Sequence, residues 1–469
     1  MRIIMLEKVY KLFRQSPDSI RKLMCLVPIE YRLGGTEFKN QLEFIQKTDK
    51  LPREKLIKFQ EKELSKVLKH AIKNVPYYND LKYDDSRSAF DNLLKFPIID
   101  KETVQENIDQ FRSIDSSAYN AYYVTTGGTS GNTLGFYLDN STYGKEWAFI
   151  TSLWQRAGYS LGDKIVAFRG VDFKDSGKNK FWQLNTIYNA LELSPFQMSD
   201  ENLRQYLKRI NDYKPLFFHG YPSALTILAK YVKSTNSHNI PKIKAVFAGS
   251  ENIYPGQIEF IEKALQTRFF SWYGQSEKVI LAGECEHSHS YHVFPQYGYT
   301  EILGEDGSMI PWENAGERGE LVGTGFMNMS MPFIRYKTGD FATIEGWGCK
   351  ECKRDYPMIT DVQGRWLQEM IVGKSGALIS MTALNMHSDI FDHVHQYQFY
   401  QDTMGELTLK VIKKSSYAEA DNLKIIKEIA RKLGNDVTVR IEFIDKIPRT
   451  QSGKSRMLIQ KLPISLRDW

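Results

Sequence analysis

Four short stretches of this chain carry residue types that could do chemistry together. The first is Thr125-Thr126-Gly127-Gly128-Thr129-Ser130-Gly131, which places four hydroxyls and three glycines in seven residues, directly after the strand-like run Tyr122-Tyr123-Val124. Glycines let backbone N–H groups close around an anion, and hydroxyls add donors to phosphate oxygens. The G-K-[ST] ending of a Walker loop is absent, and alone the stretch also reads as a Ser/Thr-capped turn. The second is Trp272-Tyr273-Gly274-Gln275-Ser276-Glu277, at the end of the apolar run Arg268–Trp272. An aromatic there can stack on a flat base, and a Glu at a strand end can hold Mg²⁺ among phosphate oxygens; the bland alternative is a structural Tyr and a solvated Glu. The third, Arg335-Tyr336-Lys337-Thr338-Gly339-Asp340, offers an Asp that can accept two hydrogen bonds from a ribose diol, or form an Asx-type turn. The fourth, Ile447 to Arg456, sets Lys454 between Arg449 and Arg456 in a polar stretch. Such a Lys can reach a distant site and neutralise phosphate charge, or belong to a solvated tail.

The cysteines add a fifth pattern. Cys349-Lys350-Glu351-Cys352 has the spacing of a zinc knuckle, and Cys285 with His287, His289 or His292 could complete a set of four. Cys25 reads as an ordinary buried thiol. His387, His393 and His395 read as a solvated or partner-facing cluster. Four cysteines are too few for a disulfide scaffold, which points to a reducing compartment and a cytoplasmic setting.

These stretches need a scaffold, and 469 residues allow more than one folding unit. A hydrophobic fraction of 42 % with 25 % charged residues excludes disordered, collagen-like and coiled-coil chains. The net charge of +6 arises from 62 basic and 56 acidic side chains mixed along the chain, so no nucleic-acid face is expected. No apolar run approaches the roughly 18 residues of a membrane span, and the N-terminus has no signal-peptide pattern. Lys8 to Lys22 reads as a basic amphipathic helix packed on the protein body, with a membrane surface or partner as the alternative.

Residues 1–115 read as helical, with Leu56, Leu64, Val67, Leu68 and Ile72 near helical spacing between Leu51 and Tyr78. From residue 120, strand-like runs at Lys164–Arg169, Leu216–His219, Ala245–Ala248 and Arg268–Trp272 alternate with helical patterns at Glu201–Asn211 and Ser223–Lys233. That alternation predicts an α/β fold with a parallel-rich sheet covered by helices. Beyond Tyr291 the strands are shorter and Gly-rich, predicting antiparallel or barrel-like structure. Gly405–Val411, Ala418–Leu433 and Val437–Ile444 predict a small α+β unit, giving domains 1–364 and 365–469.

In this order and spacing, the motifs resemble the adenylate-forming superfamily of acyl-CoA synthetases, nonribosomal adenylation domains and luciferases. The nearer resemblance is to phenylacetate–CoA-ligase-like proteins, especially CapK-type proteins linked to capsular polysaccharide biosynthesis. It is carried by Asn74-Val75-Pro76-Tyr77-Tyr78, Ala248-Gly249-Ser250-Glu251, Glu284-Cys285-Glu286-His287 and Gln396-Tyr397-Gln398-Phe399.

The resemblance implies an ATP- and Mg²⁺-dependent ligase. It would activate a small carboxylic acid as an acyl-adenylate and pass it to coenzyme A or to an amine or sugar acceptor, in surface polysaccharide biosynthesis. The alternative is a non-catalytic nucleotide-binding or scaffold relative in a polysaccharide-assembly complex. By the same resemblance, Thr125 to Gly131 hold pyrophosphate, Gly249, Ser250 and Glu251 line the adenine pocket, and Tyr273, with Gly274 and Ser276 beside it, stacks near adenine. Glu277 holds Mg²⁺, Asp340 and Arg365 bind the ribose, and Lys454 bridges carboxylate and phosphate on a mobile C-terminal lid. Arg169 to Asp172 and Ser194–Gln205 wall the acyl pocket, and His219–Ser223 resembles a family segment near the substrate carboxylate. For zinc, the resemblance favours His292 as the fourth ligand, then His287. Two departures stand out: Gly131-Asn132-Thr133-Leu134 replaces the Gly-x-Pro-Lys of many relatives, and Trp366-Leu367-Gln368-Glu369 replaces the usual acidic run after Gly364-Arg365.

Overall fold

The computed structural model describes residues 26–126, 134–169, 181–235, 240–251, 253, 256–364, 370–381, 389–391, 393–447 and 458–462. Gly127–Gly131, Arg365, Lys454, Cys25, His387 and the Lys8–Lys22 stretch lie outside the described residues.

The N-terminal helices are α1 (Thr36–Thr48) and α2 (Arg53–Asn74). α2 buries Leu56, Leu64, Val67, Leu68 and Ala71, and ends where Pro76 disfavours a helical Val75. Its stripe packs on the strands β1 (Tyr122–Thr125) and β2 (Gly135–Leu138) and on the antiparallel strands that come later in the chain.

Helix α3 (Thr142–Gln155) leads into the strands β3 (Ile165–Phe168), β4 (Trp182–Asn185) and β5 (Ala190–Leu193). Then come α4 (Asp200–Tyr213), β6 (Phe217–Gly220), α5 (Pro222–Ser234), β7 (Ala245–Ala248), α6 (Gln257–Leu265) and β8 (Arg268–Gly274). β3, β5, β6, β7 and β8 pair in parallel. β3, β6 and β7 are buried along their whole length, as strands covered on both faces must be. Ile165, Ala167, Phe217 and Phe247 face α1 and α3, whereas Val166, Phe168, Phe218 and Val246 face α4, α5 and α6.

The strands that follow are β9 (Leu281–Gly283), β10 (Tyr291–Val293), β11 (Gly298–Leu303), β12 (Arg318–Gly325), β13 (Tyr336–Trp347) and β14 (Pro357–Gln363). They are antiparallel, as expected, but no closed barrel is present among the described residues. β9 pairs directly with β8, through Trp272 opposite Gly283, so the backbone ladder of the parallel strands continues outward. One sheet of twelve strands results, in the order β11-β12-β13-β14-β10-β9-β8-β7-β6-β3-β5-β4.

The C-terminal part holds a hairpin, β15 (Met370–Val372) with β16 (Leu378–Ser380), and a second sheet. That sheet contains β17 (Val394–Gln401), β18 (Glu406–Lys413), β19 (Thr438–Phe443) and β20 (Leu458–Gln460), in the order β19-β18-β17-β20. Helix α7 (Glu419–Leu433) crosses between the parallel pair β18 and β19, burying Ile425, Ile429 and Leu433 against Leu407, Leu409 and Val411. His393, in the expected solvated cluster, is exposed and pairs with Asp421 at 3.1 Å.

Candidate functional site

In sequence, the glycine-rich stretch lies between two paired strands. β1 and β2 run antiparallel with Thr125 opposite Gly135. Thr126 closes the stem: its N–H donates to the Leu134 carbonyl at 2.8 Å, and its Oγ1 accepts from the Leu134 N–H at 3.0 Å. The second strand of this stem had no clear signal in the sequence, because β2 is short and apolar throughout.

The second and third motifs meet. Tyr273 Oη donates to Asp340 Oδ2 at 2.9 Å across 67 positions of sequence, and Gln275 Nε2 donates to the same Oη at 2.6 Å. Burial, followed by the Asp340 charge, holds the Tyr273 phenol well above its ordinary pKa, so it remains a donor at neutral pH. Asp340 is presented by an irregularity within β13, where the register shifts opposite Glu320 and Val322: its N–H donates to Thr338 Oγ1 at 3.1 Å, and Gly339 takes a φ of +74° that favours glycine. Glu277 lies alongside, with Oε1 accepting from Tyr336 Oη at 2.9 Å. Gly274 and Ser276 are exposed beside it.

The parallel strands bring a second group together at their carboxyl ends, where ligands gather in open α/β sheets. Ala167, His219, Phe247 and Phe270 are in register across β3, β6, β7 and β8. Two residues beyond three of them, on the same face, stand Arg169, Gly249 and Trp272. Arg169 Nη1 donates to His219 Nε2 at 3.0 Å, and Nη2 donates to Ser250 Oγ at 2.9 Å. Burial, then the neighbouring Arg169 charge, pushes His219 well below its ordinary pKa of 6.5. The His219 ring lies 5.0 Å from Trp154 and 5.7 Å from Trp272. A Cβ on Gly249 would come within 3.1 Å of the Trp272 ring. Glu251 caps α5, accepting from the Ser223 N–H at 2.9 Å and from Ser223 Oγ at 3.0 Å. Neither Trp154 nor the Arg169–His219–Ser250 contacts were legible in advance. The available signal was an Arg directly after a short buried strand.

The cysteine pattern also converges. The ligand atoms of Cys285, His292, Cys349 and Cys352 all lie within 4.8 Å of one another, and all four residues are buried. His292 Nδ1 lies 3.1 Å from the Ser290 carbonyl, so that ring nitrogen is the donor and Nε2 is left facing Cys352 Sγ at 3.3 Å. Backbone N–H groups of His287 and Cys352 point at Cys285 Sγ and Cys349 Sγ, at 3.4 and 3.5 Å. The hydrogen bond between Cys285 and Cys352 lowers Cys352 to about 7 and raises Cys285. Two or three thiols and an imidazole with a satisfied second nitrogen are the donor set of a closed zinc site. His289 is drawn elsewhere, with Nδ1 at 2.8 Å from the buried Glu284.

The knuckle is anchored to α1 through a buried ion network. Arg354 Nε donates to both oxygens of Asp49 at 2.9 and 2.8 Å, and its Nη atoms donate to Glu286 at 2.6 and 2.9 Å. Burial works against the Glu286 charge, but Arg354 outweighs it and brings Glu286 down to about 2.

Residues 371–461 match the CapK C-terminal domain family. Protein CapK of Staphylococcus aureus is 24 % identical over 418 residues, covering 87 % of this chain and 90 % of the relative. The phenylacetate–coenzyme A ligase of Escherichia coli strain K12 is 27 % identical over 426 residues, covering 85 % and 93 %. The chain is a homologue of CapK and of the phenylacetate–coenzyme A ligases. Its fold is that of 2-hydroxyisobutyryl-CoA ligase: the structure of that enzyme in complex with 2-HIB-AMP and CoA has a TM-score of 0.57 and 18 % identity, covering 88 % of this chain and 91 % of the other. No helix among the described residues is long and apolar enough to cross a membrane.

Proposed function

We propose that this chain is an adenylate-forming ligase that activates a carboxylic acid with ATP and passes the acyl group to coenzyme A. The observation that carries this reading is the hydrogen bond from Tyr273 to Asp340 beside Glu277, which joins two nucleotide-type motifs into one site. Homology to phenylacetate–coenzyme A ligases supports it. In this reading Tyr273 flanks adenine with Gly249, Ser250 and Glu251 nearby, and Asp340 holds the ribose hydroxyls with Arg365. Glu277 takes Mg²⁺, and the Thr125–Gly131 stretch cradles the leaving pyrophosphate. A substrate carboxylate oxygen attacks the α-phosphorus, the bond to pyrophosphate breaks, and Lys454 neutralises the developing charge. The thiol of coenzyme A then attacks the acyl carbon, and AMP leaves. A lid comprising residues 365–469 would serve the two half-reactions in turn. An amine or sugar acceptor in surface polysaccharide assembly is the variant suggested by the resemblance to CapK-type proteins, and reduced thiols with ATP chemistry suit the cytoplasm.

Cys285, His292, Cys349 and Cys352 would hold a structural Zn²⁺, because a full set of four protein ligands leaves no position for substrate. ATP–pyrophosphate exchange with a library of carboxylic acids tests the main reading. Exchange that depends on one acid class supports it. A folded protein that binds Mg-ATP yet exchanges with no acid would favour the scaffold alternative.

A further inference from the structure

Arg169 is held firmly by neutral partners. His219 Nε2 and Ser250 Oγ accept from it, and its guanidinium lies 5.3 Å from the Tyr221 ring centroid. Arg156, Arg268, Arg335 and Arg354 each have a carboxylate within 4.0 Å. Arg169 has none among the described residues. Among the described residues its charge is therefore positioned by neutral groups alone, and these contacts engage two of its five N–H donors. The positioning has a visible cost: Ser250 sits at a φ of +68°, which a non-glycine residue adopts only under strain. The location is the carboxyl end of the parallel strands, on the face walled by Trp154 and Trp272. A fixed cation beside the two tryptophan rings fits a ligand that carries an anion away from its reacting end.

We propose that Arg169 binds a second anionic group of the acyl substrate, so that the acid activated here is a dicarboxylate or a comparable doubly anionic acid. This rests on the adenylation reading above. One carboxylate would meet ATP while the other pairs with the guanidinium, whose fork matches a carboxylate in two-point contact.

The test is ATP–pyrophosphate exchange with matched acids: butyrate and succinate, hexanoate and adipate, phenylacetate and 4-carboxyphenylacetate. The wild type is expected to favour the doubly anionic member of at least one pair by about tenfold or more in kcat/KM. Arg169→Gln should lose about 10- to 100-fold on that member and less than about threefold on its monoanionic partner. Arg169→Lys should fall between them. A wild type that prefers the monoanionic member of every pair it uses overturns the proposal. So does an equal loss on both members in Arg169→Gln, which would place Arg169 on the reacting carboxylate. If Arg169→Gln does not fold, the wild-type ranking and Arg169→Lys decide. No exchange with any acid overturns the adenylation reading and this inference together, a result distinct from exchange with the wrong acids.

Discussion

Tyr273 and Asp340 share a 2.9 Å hydrogen bond, although one ends β8 and the other lies in β13. β8 and β13 are not neighbours in the sheet, since β9, β10 and β14 lie between them. The contact is therefore made by side chains across a concave face, where a ligand would meet both.

Removing that phenol isolates its contribution. A hydrogen bond to a charged acceptor contributes about 1.5–3 kcal/mol. Tyr273→Phe should raise the KM for ATP in pyrophosphate exchange about tenfold or more, with the circular dichroism spectrum retained. An unchanged KM would remove Tyr273 from the nucleotide site.

The group of Cys285, His292, Cys349 and Cys352 makes a compositional prediction. Protein purified without chelator should carry about one zinc per chain by plasma mass spectrometry. Cys352→Ser should lose most of it and melt at a lower temperature than the wild type. Full zinc retention in that variant would place the metal elsewhere.

The Arg354 network should be expensive to break from one side. Arg354→Met leaves Glu286 without its bidentate partner and Asp49 with Arg156 alone, 3.6 Å away, and losing one partner of a buried pair costs at most about 3–5 kcal/mol. The contrasting substitution is Lys47→Ala, which removes an exposed pair with Glu43 and should leave the melting temperature unchanged. Equal melting of the two variants would contradict the assigned role of Arg354.

His219 gives the fold an acid sensitivity of definite sign. Its folded pKa lies well below the ordinary 6.5, so the unfolded chain binds a proton first as pH falls. Its contribution is fully present above about 6.5 and is lost as pH falls through that value toward the depressed folded pKa. His219→Gln should therefore lose less melting temperature than the wild type between pH 7 and pH 5. Parallel losses would mean that the acid sensitivity comes from other groups.

Much of this could be read from the sequence where local chemistry decides the structure. Ala245–Ala248 reads as a strand to the residue because a fully apolar run in a parallel sheet needs no alternation. Helix α7 was legible from its amphipathic period and its terminal Gly434. Tyr273, Glu277 and Asp340 were legible as types in motifs, but their meeting was not, because sequence order says nothing about which strand lies across a concave face. The antiparallel part of the expectation held, and whether such strands close into a barrel was not legible for a related reason. Short, Gly-rich antiparallel strands look the same whether they close on themselves or extend another sheet, and only the pairing of Trp272 with Gly283 distinguishes the two. The Asp49–Arg354–Glu286 network had no sequence signal, since single charges far apart in sequence are indistinguishable from surface residues until they are packed.

Asp49 and Arg354 are separated by 305 positions. A chain made from its N-terminus exposes α1 and the Asp49 carboxylate long before the knuckle that completes them has been synthesised. The contact is thus among the last that a growing chain can form. The N-terminal helix can pack against α3 early, but its C-terminal end stays unlocked until the cysteines arrive. Supplying or withholding the proposed zinc during synthesis would then act on α1 as much as on the knuckle itself.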